Sequence, residues 1–129
     1  MIQEAPIATT PDKTTEVFIY YYNQGNVDNL INAYYEQDAV IAASPGKTAR
    51  GAALKSALEP YFALKGKISG GTRHTLVNED IALLILDWVF DYTDEAGNPT
   101  KYAGTSTDVV RKGADGIWRC IIDNPHNIS

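Results

Sequence analysis

The chain has 129 residues, 44% of them apolar and 21% charged, so it can bury one core and is too small to divide comfortably into two. One domain is therefore expected over residues 1–129, and a disordered or low-complexity protein is excluded. Eleven basic against sixteen acidic residues give a net charge of −5, which supplies no basic stripe for a phosphate backbone and argues against nucleic acid as a partner.

One cysteine, Cys120, cannot form an internal disulfide, and with only two histidines, His74 and His126, soft ligands are too few for a zinc or iron–sulfur site. No metal or other cofactor is expected, and the cysteine usage fits a reducing cytoplasm. The opening residues lack the basic start and apolar run of a signal peptide, and no apolar stretch approaches ~20 residues. Neither a targeting nor a membrane segment is expected. Residues 1–10 are read as a loose tail.

Thr10-Pro11-Asp12 predicts an N-cap with proline in the first helical position. Val17, Phe18, Tyr21 and Tyr22 then follow at helical spacing before Gly25. Val27, Leu30, Ile31 and Tyr34 fall at i, i+3, i+4 and i+7, one apolar face of a short second helix. Residues 38–44, closed by Pro45-Gly46, read as a short buried strand. Leu54, Ala57, Leu58, Tyr61 and Phe62 mark a third helix, which Pro60 should kink or split and Gly66 should end.

Beyond Gly66 the chain reads as β. Residues 72–78, 81–92, 101–112 and 117–123 are rich in Val, Ile, Thr and aromatics and are separated by turn-forming stretches. They predict an antiparallel meander whose concave face the helices cover, an α+β architecture. Alternation puts Ala82, Leu84, Leu86, Trp88, Phe90 and Tyr92 on the helix-covered face. The opposite face carries Ile81, Leu83, Ile85 and Val89, more apolar surface than water alone favours, and predicts a homodimer through the sheet.

The stretch YNQGNVDNLINAYYEQDAV, followed by TARGAALKSAL, resembles the opening of the SnoaL-like and ketosteroid-isomerase-like branch of the nuclear transport factor 2 (NTF2-like) superfamily. STDVVRKGADGIWRCIIDNP resembles its closing hairpin. The resemblance spans roughly residues 14–125 and implies a cone: a curved antiparallel sheet packed on three N-terminal helices, open at one end to an apolar pocket for a small hydrophobic molecule or a partner. In the steroid isomerase branch one Asp shuttles a proton while a second Asp and a Tyr donate hydrogen bonds to an enolate oxygen, a carboxyl held neutral by its apolar site.

The resemblance places Asp108 at the oxyanion-binding Asp. The general-base Asp would fall near Ala43 or Ser44, where there is no carboxylate, and the catalytic Tyr at or near Phe18, which has no hydroxyl. Steroid isomerisation itself is therefore not expected. The implied function is binding of a hydrophobic or carbonyl-bearing metabolite, with cofactor-independent proton transfer of the isomerase, cyclase or dehydratase type as its chemistry. The alternative is a non-catalytic dimerisation or adaptor module acting through the exposed sheet face.

Asp108 leads the candidate catalytic residues, because Gly104, Ser106 and Val110 on its strand face leave room for a ligand beside an inward carboxyl. If the site is dry, burial would raise its pKa toward neutrality. A structural role, paired with Arg50, Arg73 or Arg119 or bonded to a backbone amide, stays open. Asp123, placed by the resemblance at the pocket rim, would divide acid and base work with Asp108, or would instead cap an Asp-Asn-Pro turn. His74 is the third candidate, as a general base near pH 7, against the plain reading of a histidine on an exposed sheet face. Trp88, Phe90, Leu86, Phe18, Tyr34, Phe62 and Ser106 are the candidate ligand contacts, with ordinary core packing as the competing role of the aromatics.

Overall fold

The computed structural model describes residues 5–126. A 3-10 turn, Pro11–Lys13, leads into α1 (Thr14–Gln24), α2 (Val27–Tyr34) and then β1 (Tyr35–Ser44). β2 (Lys47–Ala49), α3 (Ala52–Ala63), β3 (Lys67–Asn78), β4 (Ile81–Thr93), β5 (Pro99–Lys112) and β6 (Trp118–Asp123) complete the chain. The six strands form one curved, unclosed sheet in the order β2-β1-β6-β5-β4-β3. The meander from β3 to β6 is antiparallel, and β1 joins β6 in parallel.

Local chemistry accounts for the helix limits. Asn26 caps α2 by accepting from the Asn29 amide at 3.0 Å, filling one of the donor vacancies at a helix start. Gly25 closes α1 in the left-handed conformation at φ 81°, which a residue without Cβ adopts freely. Thr10 makes no side-chain cap, and proline starts the 3-10 turn instead. Pro60 does not split α3: it lies in the last turn, and the helix continues to Ala63. The segment before Thr10 is tied down in part, since Ala8 is buried and its carbonyl accepts from the Trp118 amide at 2.9 Å. Residues 1–4 of the expected tail lie outside the described residues.

The core sits between α1, α2, α3 and the concave sheet face, around the fully buried Leu30, Leu84, Val110 and Cys120. Ala82, Leu84, Leu86 and Phe90 are buried on β4 as alternation requires, while Ile81 and Asp87 are exposed. Asn23 fastens α1 to the sheet edge: its amide donates to the Ile68 carbonyl at 3.0 Å and its carbonyl accepts the Ile68 amide at 2.9 Å. That side chain serves edge strand β3 in place of a missing neighbour. No helix among the described residues is long and apolar enough to cross a membrane.

Candidate functional site

Helix and sheet part toward the far ends of β4 and β5, leaving a cavity of about 500 Å³. Its walls are Phe18, Ile19 and Tyr22 from α1, Leu58 and Tyr61 from α3, and Leu86, Trp88 and Phe90 from β4. At its floor lie two carboxyls, Asp108 and Asp123, 2% and 4% exposed.

Two consecutive tyrosines reach these two acids. α2 ends at Tyr34 and the chain turns extended at Tyr35 (φ −98°, ψ 145°), so the neighbouring rings stand edge to face, 4.8 Å apart. Tyr34 donates its hydroxyl to Asp108 Oδ2 at 3.2 Å, and Tyr35 donates to Asp123 Oδ2 at 2.5 Å. Asp108 Oδ1 accepts from the Ser106 hydroxyl and from the Asn124 amide at 3.0 Å.

Charge divides unequally between the two carboxyls. Burial is the main cause raising both. For Asp108, Ser106, the Asn124 amide, Asp123 and Tyr34 all bond the ionised form and pull it back. Asp123 has one such donor, Tyr35, and faces the Asp108 charge, so it is held well above the usual carboxylate range. Two like charges this close in a dry site cannot both ionise. Of the pair, Asp123 is the carboxyl held more strongly toward its protonated form. The same burial pushes the Cys120 thiol and the Tyr34 and Tyr35 hydroxyls far up, which leaves Cys120 an inert core thiol.

Solved structures share this architecture. An NTF2-like superfamily protein from Salmonella enterica serovar Typhimurium superposes with TM-score 0.69 at 14% identity, over 92% of this chain and 88% of that one. The chain has the NTF2-like fold. An NTF2-like protein with a cystatin-like fold from Novosphingobium aromaticivorans gives 0.72 at 16% identity, covering 89% and 77%. A ketosteroid isomerase-like protein from Erwinia carotovora atroseptica gives 0.67 at 21% identity, covering 90% and 92%. No family model and no curated protein matches the sequence.

Within the NTF2-like cone, Phe18, Tyr34, Leu86, Trp88, Phe90 and Ser106 line the cavity with Asp108 and Asp123. Two expected residues lie elsewhere. His74 is exposed on β3, paired with Ile85 of the outer face, because a register shift between Thr72 and His74 resets the alternation of that strand. Phe62 packs behind the wall, its ring 4.7 Å from Tyr22. Two of the arginines considered as partners for Asp108 are engaged elsewhere: Arg73 pairs with Asp87 and Arg119 with Asp115. Asp123 turns its carboxyl to Tyr35 and Asp108 rather than to its own turn.

Tyr22, Tyr61, Tyr102 and His126 also line the cavity. For Tyr61 the signal was present, since it shares the apolar stripe of α3. His126 follows the last strand, where no periodicity points anywhere. Tyr22 donates to the Tyr61 carbonyl at 2.6 Å, and burial pushes its hydroxyl up to about 12. Among the described residues no group of three or more His, Cys, Asp or Glu could hold a metal ion.

Trp88 stands where it does because glycines flank it. On β4 it pairs with Gly70 of β3 and Gly104 of β5. A Cβ on Gly104 would come within 2.5 Å of the indole, so the ring lies over the bare backbone of β5. Its Nε1–H donates to the Pro125 carbonyl at 2.8 Å, which satisfies the one polar atom of an otherwise apolar wall.

Proposed function

We propose that the cavity binds a small hydrophobic, carbonyl-bearing molecule and that Asp108 and Asp123 catalyse a cofactor-independent proton transfer on it. The observation carrying this reading is the pair of buried carboxyls at the floor of an apolar cavity, with Asp123 held more strongly toward its protonated form than Asp108. Environments that push two acids apart assign the base to one and the acid to the other. Ionised Asp108 takes the proton from carbon beside the carbonyl. Asp123 gives its proton to the developing enolate oxygen; delivery of the Asp108 proton to a different carbon of the dienol, with the hydroxyl proton returned to Asp123, moves the double bond and completes an isomerisation with the pair's proton count unchanged. The aromatic walls exclude water, which strengthens each of these interactions.

trans-2-Decalone, an apolar bicyclic ketone, is a suitable probe. Wild-type protein is expected to bind it saturably and to accelerate exchange of its α-protons in D2O, followed by NMR. Asp108→Asn should retain the fold and lose roughly 100-fold or more of that acceleration. Binding without any protein-dependent exchange would reduce the reading to a binding protein.

The outer sheet face fits a second copy of the chain, the homodimer expected from its composition. Leu76, Leu83, Ile85, Val109 and Ile122 are brought together there by the β3–β4–β5–β6 register, with Leu76 and Ile122 63% and 47% exposed. Arg73, bound to Asp87, and Arg111, bound to Glu36, border the patch. In sedimentation equilibrium the wild type is expected as a dimer and Leu83→Arg as a monomer, since a desolvated unpaired charge at the centre of such a face is strongly unfavourable. A wild-type monomer at tens of micromolar would dismiss the dimer.

A further inference from the structure

Tyr61 and His126 arrive at the cavity from different elements, α3 and the turn after β6, and meet with Tyr61 Oη and His126 Nε2 3.0 Å apart. Two contacts hold the turn. The Trp88 indole binds the Pro125 carbonyl, and the His126 ring packs edge to face on that indole with centroids 5.6 Å apart. The acids at the floor make no hydrogen bond to this pair, so the cavity has a second polar pole.

Counting hydrogens shows what that pole offers. If His126 carries its proton on Nε2, it donates to Tyr61, and the Tyr61 O–H is left over. If the proton is on Nδ1, Tyr61 donates to Nε2 and the Nδ1–H is left over, since Nδ1 has no partner among the described residues. Either tautomer leaves one unspent donor at the mouth. The proposed reaction brings a carbonyl oxygen to Asp123 at the floor, so both ends would take a hydrogen-bond acceptor.

The two poles lie a definite distance apart. Asp108 pairs with Leu84 and the mouth indole belongs to Trp88, four residues further along β4, or about 13 Å.

We infer that Tyr61 and His126 are specificity-determining contacts that select ligands with acceptor oxygens at both ends of an apolar body roughly two fused rings long. This rests on the cavity being a ligand site and adds to it which molecules of that class are preferred.

The test compares trans-2-decalone with trans-decalin-2,6-dione, which adds a carbonyl at the far end, by calorimetric titration of the full-length protein. Two equivalent ends alone favour the dione about twofold. Wild type is expected to favour it by a further three- to tenfold, the range of one neutral hydrogen bond. Tyr61→Phe and His126→Phe each leave one donor and should keep most of that preference. Together they should abolish it, read as the dione-to-decalone affinity ratio within each variant. His126→Gln in the Tyr61→Phe background restores an amide donor and should recover it, a pattern that loss of packing would not produce.

A wild-type ratio near twofold, or a double variant that keeps the preference, would overturn the inference while leaving the ligand site standing. Failure of wild type to bind either ketone would overturn the ligand site and this inference with it.

Discussion

Asp123→Asn is expected to make the protein more stable and less active at once. The asparagine carbonyl can accept the Tyr35 hydroxyl and its amide can donate to Asp108, reproducing the bonds of the protonated acid. It cannot release a proton, so exchange on a carbonyl probe should fall roughly 100-fold or more. Stability moves the other way because of linkage. Asp123 holds its proton more tightly folded than unfolded, so above the unfolded carboxyl value of about 3.9 the folded state binds more protons than the unfolded one. Stability due to this group is therefore fully present in acid. It declines as pH rises until the folded group itself ionises.

Asparagine removes that slope. Between pH 5 and 8 the melting temperature of the variant should change less with pH than that of wild type. At pH 8 it should lie higher by about 1–2 kcal/mol, or roughly 3–10 °C. The measurement is a series of thermal melts across pH on both proteins. A variant less stable at pH 8, with the wild-type slope unchanged, would mean that Asp123 is an ionised strut and not the protonated member of the pair.

Gly70→Ala should have the largest effect on folding. Gly70 has φ 140°, and a Cβ there would lie 2.0 Å from the Asp87 carbonyl oxygen and 2.9 Å from the Trp88 Cα. Both are backbone atoms of a paired strand and cannot rotate away, so β3 and β4 must separate beneath the cavity wall. The expected loss is about 3 kcal/mol or more, roughly 10 °C or more in melting temperature, or no soluble protein at all. Gly71→Ala is the control, since Gly71 has ordinary φ and a Cβ there would meet nothing within 4 Å. Chemical denaturation of the two variants side by side separates the steric clash from a general cost of replacing glycine in a strand. Equal stability of the two would refute the close approach.

Helix periodicity and strand alternation made the element order readable, because one apolar stripe per helix and one apolar face per strand must point into the same core. Alternation also gave the inward face of β4 and the inward aim of Asp108, since both depend only on parity along one strand. It gave no face for His74, where the register shift beside Thr72 interrupts parity, and the exposure of that residue agrees with the plain reading of a histidine on an exposed sheet face. β2 was missed because its three residues carry no period.

The site divides along the same line. Local pattern along the chain was enough for the α+β framework, the aromatic wall on β4 and the inward aim of Asp108, while the NTF2-like cone and the place of Asp123 came from the family resemblance. Folding in three dimensions set the rest: β1 lies parallel beside β6, Tyr34 and Tyr35 serve different carboxyls, and Asp123 is buried facing Asp108. It likewise brought His126 to Tyr61 across 65 positions of sequence. Proton sharing depends on separation and burial, and no periodicity along one chain encodes the distance between groups brought together by folding.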